Sequence, residues 1–122
     1  AAKDAIDGFE LLINQFPKSK YIEKAKKNKK KCELSLAENI FEIGKFYYNT
    51  GSYQSAISRL ENLLIQNPNY KFSGEAAFLI AESYYNEQNF IEAVVFYKKF
   101  VNKYPRSQFI IQAKKRLKVL RR

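Results

Sequence analysis

Apolar side chains recur at three- or four-residue steps through Ile22, Ala25, Cys32, Leu36, Ile40, Ile43 and Tyr47, with Lys29 as the one polar intruder. Between Pro17 and Thr50 there is no proline, and Gly44 is the only glycine. The unbroken phase predicts one continuous helix from about Ser19 to Asn49. At about 30 residues and 1.5 Å per residue it would be roughly 45 Å long. A second apolar stripe runs over 53–66 and stops before Asn67-Pro68, where the missing N–H of proline and its ring bar continuation.

The same pattern then returns. Aligning 37–68 with 74–105 pairs Tyr47 with Tyr84, Tyr48 with Tyr85, Asn49 with Asn86 and Tyr53 with Phe90. Ala56 meets Ala93, Leu60 meets Tyr97, Leu63 meets Phe100 and Pro68 meets Pro105, all at a spacing of 37 residues. A partial copy opens the chain, where Ala5, Phe9, Leu12 and Pro17 have the spacing of Ala56, Leu60, Leu63 and Pro68. Each full copy reads as two helices, with Gly51 supplying a C-terminal stop for the first. Small Ala56 and Ala93 permit close antiparallel packing.

Ile43-Gly44 with Tyr47, then Ala56, Leu60 and Pro68, resembles the tetratricopeptide repeat, a helix–turn–helix unit of about 34 residues. Ile80-Ala81 with Tyr84, then Ala93, Tyr97 and Pro105, follows it with alanine for glycine. The fold expected is therefore all-α, a helical solenoid of about two and a half repeats. Its parts are a partial repeat at 1–17, a long basic helix at 18–50 joined to a second helix at 53–66, a repeat at 74–104 and a capping helix at 107–121. Tyr47, Ala56, Leu60, Tyr84, Ala93 and Tyr97 are expected to be core, and Cys32 a small buried hydrophobe.

In such solenoids the first helix of each unit lines the inner face. Phe41, Lys45, Tyr48 and Asn49 in one unit, and Phe78, Glu82, Tyr85 and Asn86 in the next, then form a ladder of aromatics and amides. A ladder of this kind suits an extended segment or helix of a protein partner. The alternative is that Tyr48 and Tyr85 pad the core edge. Phe41 and Lys45 replace the lysine and asparagine with which some members clamp a C-terminal carboxylate, so that clamp is not expected.

Charge adds a second surface. The chain of 122 residues has 22 Lys+Arg against 12 Asp+Glu, a net +10. Residues 18–31 contain eight lysines and only Glu23, and the last stretch holds Lys114, Lys115, Arg116, Lys118, Arg121 and Arg122. Either block is a solvated helix face or a docking patch for an acidic protein or lipid head groups. Lysine predominance and the lack of any RNA-module motif argue against nucleic acid. On the terminal helix, Lys114, Lys115, Lys118, Arg121 and Arg122 border the stripe Phe109, Ile110, Ala113, Leu117 and Leu120, and are read as protein-binding.

Composition counts against an enzyme. With no His, one Cys and four scattered glycines, the chain offers no imidazole base, no cysteine zinc cluster and no phosphate-cradling loop, so no catalytic residue, metal or cofactor is expected. No apolar run approaches the roughly 20 residues of a membrane span. The opening AAKDAIDGFE has neither the apolar stretch nor the basic flank of a signal peptide.

Tyr21, Ala25, Phe46, Tyr47, Tyr48, Gly51, Tyr53, Ala56, Ile57 and Arg59, in the phrases FPKSKYIEKAKK and FYYNTGSYQSAISR, carry a more specific likeness. They resemble the BamD-type outer-membrane assembly lipoproteins. That resemblance implies a scaffold of the β-barrel assembly machinery on the periplasmic face of the outer membrane. Such a scaffold is tethered by an N-terminal lipid, which is expected to lie outside this chain. It binds the periplasmic domains of BamA through its C-terminal repeats and helps recruit unfolded barrel substrates. Members have about five repeats, so the N-terminal substrate-recognition half is expected to be missing here. The other reading left open is a periplasmic or cytosolic repeat adaptor, cell-division or envelope-associated, with a different protein client.

Overall fold

A computed structural model describes residues 5–8 and 22–121. Most of the partial repeat at 1–17, the start of the long helix at 19–21 and Arg122 lie outside the described residues. Residues 5–8 are helical. Five longer helices follow among the described residues: α1 (Ile22–Asn49), α2 (Tyr53–Gln66), α3 (Ser73–Asn86), α4 (Phe90–Lys103) and α5 (Ile110–Leu120). The fold is all-α and of the tetratricopeptide-repeat type. By internal contacts the chain divides into two compact units, 1–39 and 40–122.

In the first unit α1 runs without a break through 31–37, as its apolar phase requires. Ala25 and Ala37 are buried, while Lys24, Lys26, Lys27, Lys30 and Lys31 are exposed. Cys32 is half-buried rather than fully enclosed. Lys29 lies at the edge of the stripe, half-buried, and its Nζ pairs with Glu33 one turn on at 3.4 Å.

In the second unit α2 packs on α3, α3 on α4 and α4 on α5. Gly44 of α1 allows α2 to approach closely, because a Cβ there would meet Leu60 Cδ2 at 2.5 Å. Ala56, Leu60, Ala81, Ala93 and Tyr97 are fully buried, as the repeat register requires. Tyr47 and Tyr84 are only half-buried, contrary to the core assignment. The Tyr84 ring stacks on Phe96 at 5.0 Å, and burial, then the charges of Glu61, Glu92 and Glu87, raise its pKa.

The turns repeat as closely as the helices. α1 ends in a Schellman motif in which Ser52 N–H bonds Tyr47 O and Gly51 N–H bonds Tyr48 O, with Gly51 at φ 83°. α3 ends the same way, with Asn89 N–H to Tyr84 O and Gln88 N–H to Tyr85 O. There Gln88 holds φ 64°, a left-handed conformation that L side chains resist. Between the two repeats, Tyr70 N–H bonds Asn67 O and Ser73 N–H bonds Tyr70 O. Ser107 N–H to Tyr104 O and Ile110 N–H to Ser107 O reproduce that loop. The extra turn delays α5 to Ile110, later than the capping helix expected from 107.

Candidate functional site

The linker aromatics decide which residues of the expected inner-face ladder remain available. Phe72 lies flat over Phe41, with centroids 5.4 Å apart, and Phe109 lies over Phe78 at 4.8 Å and 7°. Phe41 is thereby reduced to 2% exposure and Phe78 to 4%. Both are core, and their assignment to an open binding surface is corrected. The covering pair, Phe72 and Phe109, is itself 37 residues apart, a signal that was present in the sequence.

Glu82 is the second correction. It was placed on the ladder, yet it is 4% exposed. The Tyr97 hydroxyl donates to its Oε1 at 2.5 Å, and Arg116 donates Nε to Oε1 at 3.2 Å and Nη2 to Oε2 at 3.4 Å. A buried carboxylate demands such donors, because an uncompensated charge away from water is costly. The Arg116 Cζ also lies 4.0 Å from the Tyr85 ring centre, a cation–π contact. Arg116, grouped by sequence with the surface cations, therefore turns inward. Burial first, then the hydrogen bond to Glu82, hold the Tyr97 phenol far above the ordinary tyrosine value. Burial opposes the charge of Arg116, but Glu82 and the neighbouring tyrosines together leave its pKa raised.

What remains on this surface is smaller and more polar than the sequence suggests. Tyr48 and Tyr85 are half-buried, each meeting edge-on the aromatic that begins the next helix: Tyr53 at 5.7 Å and Phe90 at 5.6 Å. Burial, then the charge of Glu82, raise the Tyr48 hydroxyl pKa against a smaller lowering influence of the Asn86 side chain. Asn86 also donates Nδ2 to Glu82 O at 2.8 Å. Asn49 is exposed. Lys45 is partly tied down, its Nζ 3.8 Å from Glu75 Oε2 and 5.1 Å from the Phe41 ring centre.

The terminal helix has two faces. Ala113 and Leu117 are buried in the cluster with Phe78, Tyr97 and Phe100, and Phe109, Ile110 and Leu120 pack against it. Lys114, Lys115, Lys118 and Arg121 are exposed. Among them Ile111 is 66% and Val119 58% exposed, so the outer face is basic with two apolar side chains in it. Among the described residues, no group of His, Cys, Asp and Glu is placed to hold a metal, and no helix is long and apolar enough to cross a membrane.

These joints define a helical-repeat protein, and a tetratricopeptide repeat model matches residues 75–107. A second model, described as outer membrane lipoprotein, matches residues 1–89, and the chain belongs to that family. It is 34% identical over 84 residues to the outer membrane protein assembly factor BamD of Buchnera aphidicola, covering 69% of this chain and 34% of that one. To the BamD proteins of Haemophilus influenzae and Pasteurella multocida it is 30% identical over 82 residues, covering 67% of this chain and 31% and 32% of theirs. The chain thus spans about a third of the length of these relatives.

Proposed function

We propose that the protein is a non-catalytic interaction scaffold in outer-membrane β-barrel assembly. In this reading it binds BamA-like periplasmic domains through the terminal unit, 74–122, at the periplasmic face of a lipid-tethered complex. Contact with unfolded barrel substrates belongs to the same reading. The observation that supports it is the outer face of α5, where Ile111 and Val119 are exposed on the same helix as exposed Lys115 and Lys118. Apolar anchors of this kind govern the lifetime of a complex, and a charged rim steers its formation. Half-buried Tyr48 and Tyr85 with Asn86 give a second, smaller contact surface.

Association of the purified protein with BamA periplasmic domains, followed by surface plasmon resonance, tests this. Lys115→Glu with Lys118→Glu should slow association, more at low salt than at high, and Ile111→Ser with Val119→Ser should speed dissociation. Unchanged rate constants in both variants would exclude the α5 face as the docking site.

A further inference from the structure

The first unit carries a basic face that the assembly reading does not use. On α1, Lys24, Lys27 and Lys31 follow one another at helical spacing, and Lys26 and Lys30 lie one turn apart beside them. All five are exposed, and none forms an ion pair among the described residues. Among the described residues from 22 to 34, Glu23 is the one exposed carboxylate, since Glu33 is half-buried and engaged by Lys29. Leu34 continues the same row, three residues past Lys31 and four past Lys30, at 49% exposure. From Lys24 to Leu34 the face is about 15 Å long at 1.5 Å per residue, which reaches across more than one lipid head group.

We propose that this face of α1 rests on an anionic phospholipid surface. Its lysines are compact ammonium groups on flexible stems, which suit a fluid layer of phosphates better than a fixed partner. The face has no arginine, tyrosine or tryptophan that would anchor a protein interface. It also has no aromatic on which a nucleic-acid base could stack. Leu34 is the side chain that would enter the head-group boundary, as apolar residues of interfacial helices do. Clusters of four to eight cations on a helix are drawn to anionic leaflets, and the attraction fades within a Debye length of about 8 Å at physiological salt. Membership of an outer membrane lipoprotein family is in keeping with a phospholipid surface nearby. The inference uses the family for that setting alone and is independent of BamA binding.

Vesicle co-sedimentation of the 122-residue protein, made without any acyl group, tests it. The protein should pellet with phosphatidylcholine vesicles containing about a third phosphatidylglycerol and not with pure phosphatidylcholine, and salt of about 0.5 M should release it. Lys24→Gln, Lys27→Gln and Lys31→Gln together should lower the partition coefficient about tenfold or more. Lys114→Gln, Lys115→Gln and Lys118→Gln, which alter the terminal helix instead, should lower it much less. Far-ultraviolet circular dichroism checks that both variants remain folded. Equal binding to neutral vesicles, no loss in the α1 variant, or a larger loss in the α5 variant would each overturn the proposal. So would binding to polyglutamate or duplex DNA without binding to the anionic vesicles.

Discussion

Arg116, on the last described helix, closes on Glu82 of α3, its Nε 3.2 Å from Oε1. The two residues are 34 positions apart in the chain, and Tyr97 of α4 completes the contact, so one carboxylate joins three helices. Arg116→Met leaves Glu82 buried with a single side-chain donor and should cost about 2 kcal/mol, less than a fully enclosed pair because Arg116 is partly open to solvent. Glu82→Leu should cost a similar amount by stranding Arg116 and the Tyr97 hydroxyl. The double variant should lose less than the two singles combined, a coupling of about 1–3 kcal/mol measurable by urea unfolding. Additive losses would show that the contact contributes no coupling.

Gln88 occupies the turn position that Gly51 holds one unit earlier, and both have positive φ. Gln88→Gly removes the crowding of Cβ against the backbone and should stabilise the protein by about 0.5–1 kcal/mol, after the greater chain entropy of glycine is offset. Gly51→Ala should destabilise by about 1 kcal/mol for the converse reason. Thermal unfolding of the two variants side by side checks the pair, and shifts of the same sign would contradict the matched turn geometry.

Burial and neighbouring carboxylates raise the pKa of Tyr97, Tyr48 and Tyr84 in the folded state. A phenol with a raised folded pKa binds its proton more tightly folded than unfolded. Its contribution is complete below the ordinary tyrosine value of about 10 and is lost as pH rises above it. Stability should therefore be insensitive to these groups near neutrality and fall above about pH 10, by up to about 1.4 kcal/mol per pH unit for Tyr97 and by less for the more exposed, solvent-screened Tyr48 and Tyr84. Urea midpoints and ultraviolet phenolate absorbance against pH measure this. Three tyrosines titrating normally in the folded protein would contradict it.

The helices were legible because their signals are local. The phase from Ile22 to Tyr47 and the prolines at 68 and 105 fixed the long helix and the two breaks without knowledge of neighbours. The burial of Ala56, Leu60, Ala93 and Tyr97 followed from the same stripe. Phe41 and Phe78 were misplaced because their covers, Phe72 and Phe109, sit in linkers outside the helical unit, where periodicity has no purchase. Glu82 and Arg116 were hidden for a different reason. Each looks like an ordinary surface charge in its own helix, and only the packing of α5 brings them together. Tyr47 and Tyr84 were assigned wholly to the core, whereas a phenol can bury its ring edge and leave its oxygen near water.

The loop after each repeat is held by backbone bonds from residues 70 and 73, and again from 107 and 110, closed each time by one phenylalanine stacked on the first helix of that repeat. Such a joint asks little of its other side chains, as the segments NPNYKFS and YPRSQFI show by sharing only a proline and that phenylalanine. Repeat proteins of this kind interact between nearest neighbours. Copy number is then a heritable variable separate from surface chemistry: a lineage could gain or lose a whole 37-residue module at this seam and keep every joint intact, while leaving charge and docking faces to evolve on their own.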